Sequence, residues 1–389
     1  MPTWRPMAAG WSLVIGALWS SGVVDAQVPT VAARDTVIPI QPPHVSLPGE
    51  SASAKETRFS FIVYGDTRGR HDGVEVQAEH QLVMESMVRT IVSMKNGPDP
   101  VRFVLQSGDA AVNGRDAKQW NVSFTPLINR LTLEAGVPYF LVPGNHDVTS
   151  SSDINSPGRK EGLKNFLAAV SLLIPRNGAP RRMTDYPTYA FGYGNTFVIG
   201  FDSNIAGDST QLQWVRKQLA GIDRTRYVHV VAFMHHPAFS SGPHGGITLE
   251  EQTAEMRAHY MPLFRQYGVD LMVAGHEHLF EHWIERYRDA NGTTRRIDQL
   301  VTGGGGAPIY TYQGEPDLRA YLQAGVADSV RLEHLVKPGV ATGDNPYHYV
   351  VVHVDGARLT IDVVGVDWGR NFQPYRSARA VLSDLPGRP

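Results

Sequence analysis

The chain has 389 residues, 42% hydrophobic and 19% charged, enough apolar content to bury one large core. Its 36 Lys and Arg nearly balance 38 Asp and Glu, for a net charge of −2, and no Lys/Arg-rich run marks a nucleic-acid-binding surface. With no cysteine, it carries neither a disulfide framework nor a thiol for a lipid anchor.

The first residues read as a signal peptide over 1–26: Arg5 is the positive end, 7–23 is largely apolar, and small residues at Val24-Asp25-Ala26 precede Gln27. Export to the periplasm or the medium follows. The apolar stretch is short and broken by Gly10, Ser12, Gly16, Ser20 and Ser21, so no stable membrane span is expected once the leader is removed. Residues 27–57 are rich in Pro and Ser without an apolar period, a linker or a strap along the surface. One large domain is expected over 58–376, with 377–389 as a C-terminal tail.

That domain opens with a strand at 59–64 and a helix at 78–94, where Leu82, Met84, Met87, Val88 and Ile91 follow helical spacing. A strand at 101–105, a helix at 116–133 and a strand at 137–142 come next. Segment 149–187 holds one helix, 159–174, with Gly and Pro on both sides, and is expected to be an insertion forming a wall or lid. Strands 189–192 and 196–201 flank the hairpin signal Tyr193-Gly194-Asn195. Helix 210–219, strand 228–234, helix 250–266 and strand 269–273 continue a βα alternation. Four strands close the domain, at 280–287, 296–302, 347–354 and 359–366.

Metal-ligand residue types recur where these strands run into loops: Gly65-Asp66, Gly108-Asp109, Gly144-Asn145-His146-Asp147, His235-His236-Pro237 and Gly275-His276-Glu277-His278. An open α/β sheet gathers its ligands at such strand ends, and mixed oxygen and imidazole donors suit Zn, Mn or Fe. Singly each motif is weak. In this order the series resembles the calcineurin-like metallophosphoesterase superfamily, which includes the purple acid phosphatases.

The resemblance implies an α/β fold, a four-layer α/β/β/α sandwich of two mixed sheets. It implies hydrolysis of a phosphate mono- or diester, a small substrate, by a hydroxide bridging two divalent or trivalent transition-metal ions about 3.5–4 Å apart. Carried over residue by residue, Asp109 bridges, Asn145, His235 and His276 hold one ion, and Asp66 and His278 hold the other. His146 sits beside the phosphoryl group as acid for the leaving oxygen. Asp147 either orients His146 or binds loop backbone, and His236 either backs the ligands or faces substrate.

One block departs from the family. Asp66-Thr67-Arg68 replaces the Asp-x-His of many members, and Val112 stands where purple acid phosphatases have a tyrosine. Arginine cannot ligate a metal, because its guanidinium stays protonated. The favoured reading makes Arg68 a phosphate clamp. Otherwise His80 or His71 supplies the missing ligand, or the ion is held weakly. The alternative function is a non-catalytic binding or scaffold module with a degenerate first metal position. Joint retention of Asn145, His146, Asp147, His235, His276 and His278 speaks against it. Elsewhere, 303–306 reads as a tight structural turn, Asp202 and Asn204 as helix caps, and Trp120, Trp214 and Phe264 as core. Discrimination between mono- and diester is expected in 149–187 and 310–347.

Overall fold

In the computed structural model, which describes residues 36–69, 76–149, 153–366, 372–375 and 380–384, thirteen strands form two sheets. The leader at 1–26 and His71 lie outside the described residues. The first sheet contains β1 (Arg58–Tyr64), β2 (Val101–Gln106), β3 (Tyr139–Leu141), β11 (Tyr347–Asp355), β12 (Arg358–Val366) and β13 (Ala380–Asp384), in the order β13-β12-β11-β1-β2-β3. The second contains β4 (Tyr189–Tyr193), β5 (Thr196–Gly200), β6 (His229–Phe233), β7 (Leu271–Ala274), β8 (Phe280–Arg288), β9 (Thr294–Thr302) and β10 (Arg331–Val336), in the order β10-β8-β9-β7-β6-β5-β4. Each sheet is mixed: β1, β2 and β3 are mutually parallel, as are β5, β6, β7 and β9, while the outer strands run antiparallel. The loops leaving the parallel strands of both sheets carry all the metal-ligand motifs.

The two sheets pack through aromatic side chains. Phe61 of β1 stacks on Phe103 of β2 at 5.0 Å, Phe103 meets Phe191 of β4 edge-on at 5.4 Å, and Phe191 stacks on Phe140 of β3 at 4.2 Å. Helix Ala78–Met94 covers the outer face of the first sheet, burying Val83, Met84, Met87 and Ile91. A second apolar cluster lies under helices Ser209–Ala220 and Met261–Tyr267, where Phe201 stacks on Tyr260 at 4.4 Å. Helix, sheet, sheet, helix is the expected four-layer α/β/β/α arrangement.

Two expected helices carry π-helical turns. The run expected at 116–133 consists of Ala117–Gln119, a π turn at Trp120–Phe124, Thr125–Arg130 and a second π turn at Leu131–Ala135. The run at 250–266 contains the π turn Met256–Tyr260 before Met261–Tyr267. The turns at Trp120–Phe124 and Met256–Tyr260 lie immediately before segments with Pro126 and Pro262 in second place. Proline has no N–H to donate to the carbonyl four residues back and its ring collides with it, so the preceding turn widens.

Other differences concern segments without periodicity. Within 36–57, Val37 and Ile40 enter the core, Ile40 donates its amide to Ala169 O at 2.9 Å, and Asn121 accepts the Ile38 amide at 2.7 Å. Of the linker and strap readings, the described part is a strap. In the expected tail, β13 pairs antiparallel with β12, so the domain extends beyond 376. In the insertion, helix Pro157–Ala169 sends Phe166 and Ala169 into the core, and its buried Arg159 ion-pairs with Asp202, so this wall is fastened to the body. Strand β10 and helix Arg319–Ala324 were not expected, because neither carries a clear apolar face. Among the described residues no helix is long and apolar enough to cross a membrane.

Candidate metal centre

Three of the motif residues sit in backbone conformations that L-residues avoid: Asp66, Asp109 and His276 have φ of 59°, 58° and 71°. Such strain persists only where the surroundings over-determine it, and it concentrates at functional sites. The glycines beside them show how closely the loops meet. A Cβ on Gly144 would lie 2.1 Å from Asp109 Oδ1, and one on Gly275 would lie 2.2 Å from Asp66 Oδ2. The run at 303–306 serves the same end as backbone packing: a Cβ on Gly303 would meet Glu277 O at 2.2 Å, and one on Gly305 would meet Gly65 O at 2.3 Å.

Asn145 Oδ1, His235 Nε2 and His276 Nδ1 converge: Asn145 Oδ1 is 2.8 Å from His235 Nε2 and 3.2 Å from His276 Nδ1, and the two ring nitrogens are 3.1 Å apart. Their tautomers follow from their other contacts. His235 Nδ1 donates to Ser107 O at 2.9 Å, and His276 Nε2 donates to a Glu250 carboxylate oxygen at 2.8 Å. Both facing nitrogens therefore present lone pairs, to each other and to an amide oxygen. Burial pushes His235 down to about 3, keeping it neutral, and Asp109 Oδ1 completes the cluster 3.5 Å from His235 Nε2. Acceptors facing acceptors in a buried pocket fit a cation, so Asp109, Asn145, His235 and His276 suit a transition-metal ion.

Asp66 and His278 adjoin this cluster on its other side. Asp66 accepts the His276 amide on both oxygens at 3.0 and 2.9 Å, and its Oδ1 is 3.5 Å from His278 Nε2. His278 donates Nδ1 to Pro308 O at 2.7 Å and stacks on Tyr310 at 4.0 Å. Here, however, the guanidinium of Arg68 already lies among the donors, with Nε 3.1 Å from Asp109 Oδ2. Burial alone would raise the Asp109 carboxyl. Its neighbours His235, His146 and Arg68 hold it below the usual carboxylate range. Asp66 is pushed the opposite way, by burial and by the charge of Asp109.

Of the two readings of Asp147, the loop bond is the one present, and it does not orient His146: its carboxylate accepts the backbone amides of Ala110, Ala111 and Gly144 at 2.9, 3.1 and 2.9 Å. It ties the Asp109 loop to the Asn145 loop, and His146 is oriented instead by Val112 O, 2.8 Å from its Nδ1. His80 is no ligand, because its ring is fully buried with Nε2 3.1 Å from the Tyr64 hydroxyl and Nδ1 3.0 Å from Gln77 Oε1. His236 is buried behind His276 with Nδ1 on Ser203 Oγ at 2.9 Å, so it does not face substrate. Asp202 and Asn204 cap and brace their own loop.

The sequence reading missed His244 and Glu250. Glu250 holds His244 Nδ1 at 2.9 Å with one oxygen and His276 Nε2 at 2.8 Å with the other, setting the tautomer and tilt of His276. Glu250 read only as the start of a helix, and nothing in its spacing points to His276.

The chain belongs to the calcineurin-like phosphoesterase family, whose model it matches over residues 59–280. It is 30% identical over 191 residues to an uncharacterized protein of Mycobacterium tuberculosis, covering 42% of this chain and 34% of that one. It is 27% identical over 274 residues to the Fe(3+)-Zn(2+) purple acid phosphatase 12 of Arabidopsis thaliana, covering 68% of this chain and 51% of that one. The matches thus span a third to a half of these relatives' lengths. A purple acid phosphatase from yellow lupin seeds shares the fold with a TM-score of 0.54 at 16% identity, covering 81% of this chain and 53% of that one.

Proposed function

We propose that this protein is an exported, metal-dependent phosphoester hydrolase. The observation that carries the reading is the convergence of Asn145 Oδ1, His235 Nε2 and His276 Nδ1 within 3.2 Å of one another, with Asp109 Oδ1 3.5 Å from His235 Nε2. Bound there, a transition-metal ion supplies Lewis-acid polarisation of a phosphoryl oxygen and lowers the pKa of water. The chain's own residues do the rest. His146 donates its Nδ1–H to Val112 O, which leaves Nε2 to exchange a proton with the leaving oxygen. Arg68, with 15% of its side chain exposed, meets a phosphoryl oxygen as a fixed positive charge. Glu250 keeps the His276 lone pair on the metal side. Export rests on Arg5, the apolar stretch and Val24-Asp25-Ala26.

The test is hydrolysis of a phosphomonoester and a phosphodiester reporter by metal-stripped protein resupplied with Mn, Zn or Fe. Turnover should appear only with added ion and disappear in Asp109→Ala, and the preferred reporter gives the ester class. Turnover that survives Asp109→Ala refutes the assignment, and silence with every ion favours the scaffold reading.

A further inference from the structure

The donors on the two sides of Asp109 differ in what already lies among them. Asn145, His235 and His276 face one another, and among the described residues no Lys or Arg bonds to the facing atoms. Asp109 and His278, beside Asp66, contact the Arg68 guanidinium. Its Nε donates to Asp109 Oδ2 at 3.1 Å, and its Nη2 lies 3.4 Å from His278 Nε2. That nitrogen is an acceptor, because the other ring nitrogen donates to Pro308 O at 2.7 Å. An ion here would have to stand about 2.0–2.2 Å from His278 Nε2 and Asp109 Oδ2. The guanidinium edge formed by Nε and Nη2 already faces those same atoms. The fork cannot lose its charge. Its main chain is fastened as well, since the Thr67 and Arg68 amides both donate to Asp109 O at 3.0 Å.

We propose that Arg68 replaces one of the two expected ions, so that the centre holds a single transition-metal ion on Asp109, Asn145, His235 and His276, with the guanidinium as a built-in second positive charge. The proposal rests on the metallophosphoesterase reading above. Asp109 still bridges, but between unlike cations: Oδ1 faces the histidine cluster and Oδ2 faces Arg68. The replacement is economical chemically, because a planar, permanently charged fork can neutralise one carboxylate edge and present its other edge to a phosphoryl oxygen. The metal position and the phosphate clamp become one side chain.

Manganese binding separates the possibilities without reference to turnover. The metal-stripped full chain is titrated with MnCl2, counting free Mn(II) by electron paramagnetic resonance and recording the bound spectrum. The wild type should take up one Mn(II) per chain with the signal of an isolated ion. Arg68→His, which removes the guanidinium and adds a nitrogen donor, should take up two, with the broadened signal of a coupled pair. His235→Ala in the wild-type background should lose the single ion. Two ions or a coupled signal in the wild type overturns the proposal and leaves the phosphoesterase reading standing. A single ion in a folded Arg68→His also overturns it, because something other than the guanidinium then excludes the second ion. No Mn(II) uptake by the wild type overturns both readings.

Discussion

His146 and Asp147 are adjacent in sequence and do unrelated work, and the difference lies in where their polar atoms find partners. Asp147 spends both oxygens on backbone amides of three residues, while His146 uses one ring nitrogen on Val112 O and contributes its amide, not its ring, to Asp109 Oδ1 at 2.9 Å. His146→Ala should therefore leave the loops and the metal content intact and lower kcat by about 10²–10⁴-fold, the usual contribution of a positioned acid. Paired metal analysis and steady-state kinetics check this; unchanged kcat would remove His146 from the mechanism. The six candidate ligands were legible because a donor residue at a strand end has few other reasons to recur five times in order. The loop-backbone role of Asp147 was one of two readings that the sequence could not choose between, because which loop amides approach a carboxylate depends on the packing of three loops. Glu250 and His244 were hidden for a related reason: their link to His276 spans two sheet connections and leaves no periodic trace.

At the level of elements, the site depends on loops being able to touch. Gly108 has φ of 104°, and a Cβ there would fall 2.6 Å from Gly144 N and 2.7 Å from His235 Nδ1. Gly108→Ala should thus combine backbone strain of about 1–3 kcal/mol with displacement of His235 from its Ser107 bond, lowering both stability and metal affinity. Gly136 provides the comparison: its φ is 71°, but a Cβ there meets nothing within 4 Å. Gly136→Ala should cost about 1–2 kcal/mol and leave metal binding unchanged. Denaturant melts with Mn(II) titrations of both variants test the pair, and equal effects on metal affinity would show that loop contact at Gly108 is not what matters. Strands and the long helix at 78–94 were legible from alternation and from helical spacing of buried residues. The π turns at Trp120–Phe124 and Met256–Tyr260 were legible in principle from Pro126 and Pro262. The strap at 36–57 and strand β13 were not, because each contributes only a few apolar residues whose burial is decided by distant elements.

Across the whole molecule, buried ionisable groups outside the metal centre pull stability in opposite directions with pH. Burial pushes His80 down to about 3 and His229, His334 and His348 down to about 4, from an ordinary 6.5. Each native value lies below the unfolded one, so the stability these residues confer is complete above about pH 6.5 and drains as pH falls toward 4. Burial pushes Asp270 and Glu281 up to about 7, from 3.8 and 4.5, and raises Glu285 despite its Arg265 partner. The Asp270 and Glu281 values lie above the unfolded ones, so the contribution of these two groups is complete below about pH 4 and is lost as pH rises through about 7. The ion-paired Glu50 and Glu315, held below the usual range by arginine, tyrosine, lysine and histidine neighbours despite partial burial, side with the histidines. Acid should therefore unfold the protein as pH drops below about 6, with Asp270 and Glu281 softening the loss. Asp270→Asn removes one softening group while keeping an oxygen to accept the Val230 amide, which Asp270 now accepts at 2.8 Å. Relative to wild type, that variant should gain stability as pH rises from 4 to 8, with a limiting slope of about 1.4 kcal/mol per pH unit for one proton. Urea melts of both proteins at pH 5, 6, 7 and 8 measure the difference. Parallel profiles would mean that Asp270 is ionised in the folded state, held so by Arg224 at 3.9 Å in spite of its burial.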